Sequence, residues 1–213
     1  MPRPVPTAAL FVPVTGSLDH LRSAAATCTA CPLHRDATQT VFGEGAVGAR
    51  VLLVGEQPGD KEDLAGEPFV GPAGKLLDEA LEAAGVDRRE AYVTNAVKHF
   101  KWTRTGNGKV RLHQKPNASE VAACRPWLEA ELAVVRPEVV VCLGATAAAA
   151  LLGKDVRVTR DRGRWLSSDL VPRALATIHP SAVLRAADLA ARAEAFEGLV
   201  ADLRLVPTAL ADG

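Results

Sequence analysis

Short runs of apolar residues alternate with stretches of helical periodicity along most of this chain. Each run is almost uninterrupted and ends in glycine or polar residues, a pattern typical of strands buried on both faces of a sheet. Strands are therefore predicted at residues 50–56, 91–97, 138–144 and 173–178. The spacing of leucine and alanine, with capping residues, predicts helices at residues 17–27, 72–84, 146–152 and 188–205. A further helix is predicted to end at Val135 and to begin at about Ser119 or Arg125.

The order of these elements predicts the fold class. Strands that alternate with helices form a mainly parallel sheet that is covered by helices on both faces. We therefore expect an α/β protein, a three-layer α/β/α sandwich whose central sheet has about four strands. Neither a repeat nor a linker interrupts residues 17–206, so a single domain is predicted there. The proline-rich residues 1–16 and residues 207–213 are predicted to be flexible tails.

Composition and charge narrow the possible function classes. The 25 basic and 25 acidic side chains cancel, which excludes a uniformly basic nucleic-acid binder. Three Trp, one Tyr and five Phe are too few for an aromatic stacking platform as the main binding device. The longest apolar stretch, residues 139–153, is too short to cross a membrane, and the first residues lack the apolar core of a signal peptide. We expect a cytoplasmic protein that acts without a membrane.

Four cysteines are too few for a disulfide scaffold in a chain of 213 residues, but their spacing is informative. Cys28 and Cys31 form a CxxC pair, and Cys124 and Cys142 follow far downstream. Four thiolates around one centre would suit zinc or an iron–sulfur cluster, and ligand chemistry alone does not separate the two. The alternative is that Cys124 and Cys142 are ordinary buried core residues.

Basic residues gather without acidic neighbours after the predicted strand at residues 91–97. Residues 91–119 contain no Asp or Glu, and their basic residues are Lys98, Lys101, Arg104, Lys109, Arg111 and Lys115. His99 and His113 lie among them. A second basic cluster comprises Arg157, Arg160, Arg162 and Arg164. Such segregation suits contacts with nucleic-acid phosphates, although solvated loops show the same pattern.

Polar side chains follow three of the predicted strands. Glu56 and Gln57 come directly after the first strand, with Asp60 in the next turn; Asn95 ends the second strand, and His179 follows the last. Singly, each of these residues has an ordinary structural explanation as a turn former, cap or solvated charge. Because parallel strands present their carboxyl ends at one edge, the loops can converge on one crevice. Beside a basic loop, this set favours a site for a flat polar ring on a phosphodiester chain.

These motifs together resemble the uracil-DNA glycosylase superfamily, specifically its iron–sulfur branch around family 4. The nearest resemblance is to the UdgX type, which cross-links itself to DNA. The residues that carry it are 55–63 (GEQPGDKED), 68–74 (PFVGPAG), 94–100 (TNAVKHF), 109–113 (KVRLH) and 179–181 (HPS). The resemblance covers about residues 17–206. It implies a uracil-DNA glycosylase-like fold and a monomer that acts in DNA repair on uracil-containing DNA, preferably single-stranded.

The resemblance also implies a cofactor and a base pocket. A structural [4Fe–4S] cluster is implied, with the ligands Cys28, Cys31, Cys124 and Cys142. The uracil pocket is implied to be lined by Gln57, Phe69, Asn95 and His179. The amide of Asn95 can match N3 and O4 of uracil, which rejects cytosine. Phe69 can stack on an extruded base, and His179 can donate to O2 where negative charge develops.

In the UdgX type, the histidine that ends the basic loop attacks C1′ of the sugar and forms a stable adduct. That residue is His113 here, and a neutral imidazole is a competent nucleophile near neutral pH. Glu56 would stabilise the cationic sugar or take a proton from His113, and Asp60 would support the loop. The implied catalytic set is His113, Glu56, Asp60 and His179. DNA contacts are expected from Lys98, Lys109 and Arg111, whereas His99 is expected to be structural or a DNA contact.

The basic loop departs from the pattern of the UdgX type. It reads Lys-Val-Arg-Leu-His here, where the type has Lys-Arg-Arg-Ile-His, so Val110 removes one charge. This change puts the efficiency of cross-linking in question more than the identity of the nucleophile. Two alternatives follow: a conventional family 4-like glycosylase that releases uracil and an abasic site, and a non-catalytic iron–sulfur DNA-binding module.

Overall fold

Strands and helices alternate through the computed structural model, which describes residues 7–14, 16–106 and 110–211. The strands are β1 (Val51–Gly55), β2 (Ala91–Asn95), β3 (Trp102–Arg104), β4 (Arg111–His113), β5 (Val139–Leu143), β6 (Trp165–Leu166) and β7 (Arg173–Thr177). The first α-helices are α1 (Leu18–Ala25), α2 (Asp60–Ala65), α3 (Pro72–Ala83), α4 (Ala118–Val135) and α5 (Ala145–Leu152). They are followed by α6 (Val158–Asp161), α7 (Pro180–Leu184), α8 (Leu189–Leu203) and α9 (Leu205–Ala211). Short 3-10 helices span Ala8–Leu10, Pro32–Arg35 and Arg88–Glu90.

The central sheet has the strand order β2-β1-β5-β7-β6. The first four of these strands run parallel, and β6 pairs antiparallel with β7. The α/β class, the mainly parallel sheet and its flanking helices are therefore confirmed. The sheet has five strands where about four were expected, because the edge strand β6 has only two residues and such a length carries no detectable periodicity.

Both faces of the sheet are buried, as the uninterrupted apolar runs predict. In β1, Leu52 and Val54 belong to a core cluster that includes residues of α4 and α5. Val51 and Leu53 belong to the opposite cluster, which includes residues of α3, α8 and α9. Successive side chains of a strand point to opposite faces, so a strand covered on both sides must be apolar throughout. The three layers follow from that pattern.

Two segments that the sequence assigns to the tails pack against the domain. Ala8 is fully buried, and Phe11 and Val12 pack against the same core cluster as α4. At the other end, α9 runs to Ala211 and buries Val206. The prediction of flexible tails is therefore wrong for residues 8–12 and 207–211, because their apolar side chains cover core surface. The helix predicted for residues 188–205 ends at Leu203, and α9 follows it.

The loop predicted for residues 98–117 contains a hairpin, since β3 and β4 form their own antiparallel two-stranded sheet. After it, α4 begins at Ala118 rather than near Arg125. The Asn117 side chain accepts a hydrogen bond from the Glu120 N–H, and the Glu120 carboxylate accepts one from the Asn117 N–H at 2.7 Å. This reciprocal cap defines the start of the helix. Within the described ranges, no helix is long and apolar enough to span a bilayer.

Candidate functional site

A cavity of about 750 Å³ opens at the carboxyl ends of the parallel strands. Glu56 and Gln57 follow β1, Asn95 ends β2, and His179 follows β7, and all four residues line this cavity. Phe69, His113 and Thr146 line it as well. The convergence expected from the positions of the strand ends is therefore observed. The cavity forms where functional groups gather in sheets of this type.

Close packing at the end of β1 brings Asn95 and Phe69 together. A methyl group on Gly55 would lie 2.3 Å from Asn95 Oδ1 and 2.8 Å from Phe69 Cζ, so only glycine fits there. The Phe69 backbone has φ of 60°, a left-handed conformation that is costly for a side chain of this size. A methyl group on Gly74 would collide with Phe69 O at 1.6 Å. The tight turn thus holds an aromatic ring beside an amide.

The His179 imidazole forms the wall next to Phe69. The two rings are stacked, with centroids 6.2 Å apart and planes at 24°. His179 Nδ1 accepts a hydrogen bond from the Ser181 N–H at 3.1 Å, so in the neutral ring the proton is on Nε2. Burial, together with the positive charge of Arg185, lowers the pKa of His179 to about 4. At neutral pH this residue is an uncharged N–H donor.

The Gln57 side chain does not present free polar atoms to the cavity. Its Nε2 donates to the backbone oxygens of Lys101 at 3.2 Å and Gln114 at 3.1 Å, and its Oε1 accepts from the Lys101 N–H at 3.2 Å. These bonds clamp the base of the β3–β4 hairpin. Gln57 thus lines the cavity while its side-chain amide is hydrogen-bonded to the hairpin.

The hairpin carries His113 to the mouth of the cavity. His113 Nε2 lies 3.7 Å from Glu56 Oε1, and the His113 ring lies 6.0 Å from the Phe100 ring. Glu56 also accepts a hydrogen bond from the Thr146 hydroxyl. Burial lowers the pKa of His113, an effect that Glu56 opposes and Arg185 reinforces. A neutral imidazole and a carboxylate therefore lie 3.7 Å apart in the lining of the cavity.

Arg111 fastens the hairpin to the body of the protein. Its guanidinium bonds Asp60 Oδ1 at 2.5 Å and the fully buried Asp63 carboxylate at 2.6 Å. The same group lies 5.4 Å from the ring centroids of Phe100 and Trp102. Asp60 does not line the cavity. The structure therefore gives Asp60 a supporting role in place of the predicted catalytic one, and it commits the charge of Arg111, a predicted DNA contact, to two carboxylates.

Lys98, another predicted DNA contact, is only 1% exposed. Its ammonium forms an ion pair with the buried Glu131 and donates to Asn95 O at 2.8 Å. The prediction was wrong because it assumed that a lysine in a basic segment points to solvent, whereas this one has a buried acidic partner on α4. The third predicted contact, Lys109, lies outside the described residues.

Three of the four cysteines lie near one another. Cys28, Cys31 and Cys124 are buried, and the charges of Cys28 and Cys31 add to burial in raising the pKa of Cys124 to about 12. The Lys98 N–H also donates to Cys124 Sγ at 3.2 Å. His34 Nδ1 lies 2.6 Å from Cys31 O, and the buried His99 follows Lys98 directly.

Cys142 lies apart from these three residues. It is fully buried in the middle of β5, between Val54 of β1 and Ala176 of β7. Burial alone raises its pKa to about 12, with no contribution from another cysteine. Cys28, Cys31 and Cys124 influence one another's charge whereas Cys142 does not take part, although all four lie in one core cluster, so the fourth thiol of the predicted ligand set is separated from the other three.

The arrangement of ligands around an iron–sulfur cluster differs from the arrangement around a single metal ion. In the described part of the chain, no three His, Cys, Asp or Glu side chains are grouped so that they could hold a metal ion. A multi-iron cluster spaces its thiolates more widely than one ion does, and it is held by cysteine thiolates. The buried, neighbouring thiols of Cys28, Cys31 and Cys124 fit that donor chemistry, and His34 and His99 are the nitrogen donors beside them.

Two polar cavity residues, Thr146 and Arg185, belong to no motif that the sequence analysis recognised, whereas Lys115 appears there only as a member of the basic segment. Thr146 orients Glu56 from the first turn of α5, and Lys115 and Arg185 are exposed cations. The available signal was position, since Thr146 follows the end of β5 by three residues and Arg185 follows the short helix α7 directly.

Comparison with known proteins agrees with this geometry. Residues 42–204 match the family model described as the uracil DNA glycosylase superfamily. The chain is 43% identical over 162 residues to a type-4 uracil-DNA glycosylase of Thermotoga maritima, covering 74% of this chain and 78% of that protein. It is 39% identical over 167 residues to the Pyrobaculum aerophilum type-4 enzyme, covering 74% and 80%. For the Archaeoglobus fulgidus enzyme the identity is 38% over 178 residues, covering 79% and 83%.

Proposed function

Because this chain belongs to the uracil DNA glycosylase superfamily, we propose that it excises uracil from DNA as a repair enzyme. The observation that carries the proposal is the strand-end cavity, in which an amide, an aromatic ring and a neutral imidazole donor converge. These three groups suit the flat, polar ring of uracil. The names of the relatives, type-4 uracil-DNA glycosylases from several organisms, support the same activity.

Base recognition is assigned to three side chains. The Asn95 amide accepts from N3–H and donates to O4, a pattern that cytosine reverses, so cytosine leaves buried polar groups unpaired. Phe69 stacks on the extruded base. His179 donates its Nε2 proton to O2, where charge develops as the bond between C1′ and N1 breaks. The hydrogen bond from this neutral donor to O2 becomes stronger as the departing uracil becomes anionic.

Glu56 is assigned to the sugar. Loss of uracil takes the bonding electron pair with the base and leaves a cationic, oxocarbenium-like sugar, which a nearby carboxylate stabilises. The hydrogen bond from Thr146 orients the Glu56 carboxylate. Uracil then takes up a proton from water.

The fate of C1′ distinguishes two enzymes, and we favour covalent trapping on His113. An unprotonated ring nitrogen of His113 forms a bond to C1′, and the proton on the other nitrogen passes to Glu56 or to water. The support is the neutral imidazole that the hairpin holds 3.7 Å from the Glu56 carboxylate. The product is a histidine–DNA adduct, so each molecule reacts once.

The second candidate is a conventional glycosylase in which water attacks C1′ and an abasic site is released. The specific support is that the relatives reported above carry the type-4 name. In this case the hairpin serves only to close the cavity over the nucleotide.

Denaturing electrophoresis separates the two candidates. Protein is mixed with a labelled single-stranded oligonucleotide that contains one uracil, with thymine and cytosine oligonucleotides as controls. A uracil-dependent band that survives SDS and heat, and that disappears in His113→Ser but persists in the exposed-surface control His20→Ser, supports trapping. Alkali-cleavable DNA without that band supports the conventional enzyme. The absence of both products would refute glycosylase activity.

Single-stranded DNA is the proposed substrate form, because extrusion from an unpaired strand costs less than extrusion from a duplex. The protein is proposed to act as a monomer. Comparing uracil release from the single strand and from its duplex tests the first statement. Sedimentation of the protein with and without DNA tests the second.

An iron–sulfur cluster is the proposed cofactor, held by Cys28, Cys31 and Cys124 with a fourth ligand other than Cys142. His34, whose Nδ1 lies 2.6 Å from Cys31 O, and His99, which follows Lys98 in the chain, are the proposed nitrogen donors. The cluster would cross-link the loop after α1 to α4. The polar network between α4 and Asn95 would thereby be held in place.

A further inference from the structure

We propose that Arg185 holds the phosphodiester group that flanks the uracil nucleotide. This inference rests on the proposed function, because that function places a DNA nucleotide in the cavity. Arg185 follows α7 directly, and His179 caps the other end of the same short helix. Both residues line the cavity, His179 as part of its wall and Arg185 as an exposed cation at its opening.

The Arg185 guanidinium is free to take a ligand. Within the described residues it has no hydrogen-bond or ion-pair partner. Other arginines near the cavity or in the second basic cluster are committed: Arg111 to two aspartates and Arg162 to Asp202. An unpaired guanidinium at the opening of a binding cavity is the group best suited to a phosphate, because it offers several donors in one plane.

The position of Arg185 relative to the reacting groups agrees with this role. Its charge acts on both His113 and His179, and all three side chains line the cavity. In the proposed function the base reaches His179 and C1′ faces His113, so the flanking phosphates lie within reach of a cation that is near both histidines.

The other charged side chains near the cavity are not available for this phosphate contact. Of the cations in the predicted DNA-binding set, Lys98 is buried and Arg111 is paired. Of the acids that line the cavity, Glu62 accepts from the N–H groups of Gly59 and Gly71, and Glu56 faces His113. Arg185 and Lys115 are thus the exposed basic side chains of the described cavity lining, and only Arg185 acts on both histidines.

The test measures binding with a substrate that cannot be cleaved. A single-stranded oligonucleotide carries one 2′-fluoro-deoxyuridine, and a neutral methylphosphonate replaces the phosphate on its 5′ side, its 3′ side or neither. The variants are Arg185→Gln and, as a matched control, Arg192→Gln. Arg192 is also exposed and loses the same charge, but it lies on α8 and does not line the cavity.

We expect Arg185→Gln to weaken binding about tenfold and to reduce the slope of log Kd against log salt by about 0.7. One of the two methylphosphonates weakens wild-type binding by a similar factor and weakens Arg185→Gln by less than about twofold. Arg192→Gln leaves the methylphosphonate effect as in the wild type. If both methylphosphonates weaken the wild type and Arg185→Gln equally, or if Arg192→Gln behaves like Arg185→Gln, the proposal is wrong.

Uracil release from an ordinary deoxyuridine oligonucleotide is measured in parallel with the wild type. If uracil is released but the methylphosphonate effect is the same in the wild type and in Arg185→Gln, this inference is wrong and the proposed function stands. If no uracil is released but Arg185→Gln abolishes the methylphosphonate effect, the glycosylase activity is refuted and the phosphate contact stands. No binding by the wild type overturns both.

Discussion

Breaking the buried ion pair of Lys98 and Glu131 is expected to lower the free energy of unfolding by a measurable amount. The two side chains are 1% and 0% exposed, so neither charge is solvated. Lys98→Met leaves the Glu131 carboxylate with neutral donors only, among them the hydroxyls of Tyr92 and Thr94. Removing one partner of a buried pair costs about 3–5 kcal/mol, and the total stability of a domain is about 5–15 kcal/mol. Glu131→Gln leaves the Lys98 ammonium uncompensated and is expected to cost a similar amount.

The double variant Lys98→Met with Glu131→Gln separates the interaction from the cost of burial. It carries neither charge, and the amide oxygen still accepts the hydroxyl bonds. We expect its loss of unfolding free energy, measured by urea denaturation, to be smaller than the sum of the two single losses by at least about 2 kcal/mol. The control pair is Arg125 with Glu129, an exposed pair one helical turn apart whose corresponding changes should add within about 0.5 kcal/mol. Additive losses in the buried pair would refute the reasoning.

Three further predictions concern the cluster, the cavity and pH. Cys142→Ala should retain bound iron and its visible absorbance, whereas Cys124→Ala should lose both. Equal loss in the two variants would contradict the three-thiolate set. Gly55→Ala places a methyl group 2.3 Å from Asn95 Oδ1, so uracil release should fall by at least about tenfold while the urea midpoint of unfolding changes less. Full activity of this variant would rule out the close packing. The folded pKa of His179 is about 4, below its ordinary value of 6.5, so between these values the unfolded chain binds more protons. His179 should therefore contribute up to about 3 kcal/mol to the free energy of unfolding above pH 6.5, and this contribution should be lost as the pH falls to 4. The measurement is the difference in unfolding free energy between the wild type and His179→Gln, which should shrink over that range. A difference that stays constant over that range would contradict the lowered pKa.

The sheet and the place of the cavity could be predicted from the sequence because both depend on short-range patterns. The apolar run of β1 has no polar position, which only a strand covered on both faces allows. Glu56, Asn95 and His179 follow strands that are parallel and adjacent or nearly so, and parallel strands present their ends at one edge. Local pattern and chain direction were sufficient for these residues.

The residues that were misjudged depend on contacts distant in the chain. The burial of Lys98 requires Glu131, which lies 33 positions away on another element. Cys142 is directed into the core by its place in β5, which spacing between cysteines does not encode. Arg185 belongs to no recognised motif, and it stands out because its guanidinium has no partner among the residues that the structure describes. Burial and pairing are properties of the assembled structure.

In its described residues the β3–β4 hairpin makes no hydrogen-bonded ladder with the central sheet, and Arg111 and the Gln57 amide attach it to the rest of the protein. The groups proposed to bind the base follow or lie beside the strand ends, whereas the proposed nucleophile belongs to this separate hairpin. Substitutions in the hairpin can therefore change what becomes of the sugar without disturbing the scaffold that selects the base. The choice between the two proposed fates of the sugar, release and covalent trapping, would then be set by the hairpin and not by the sheet.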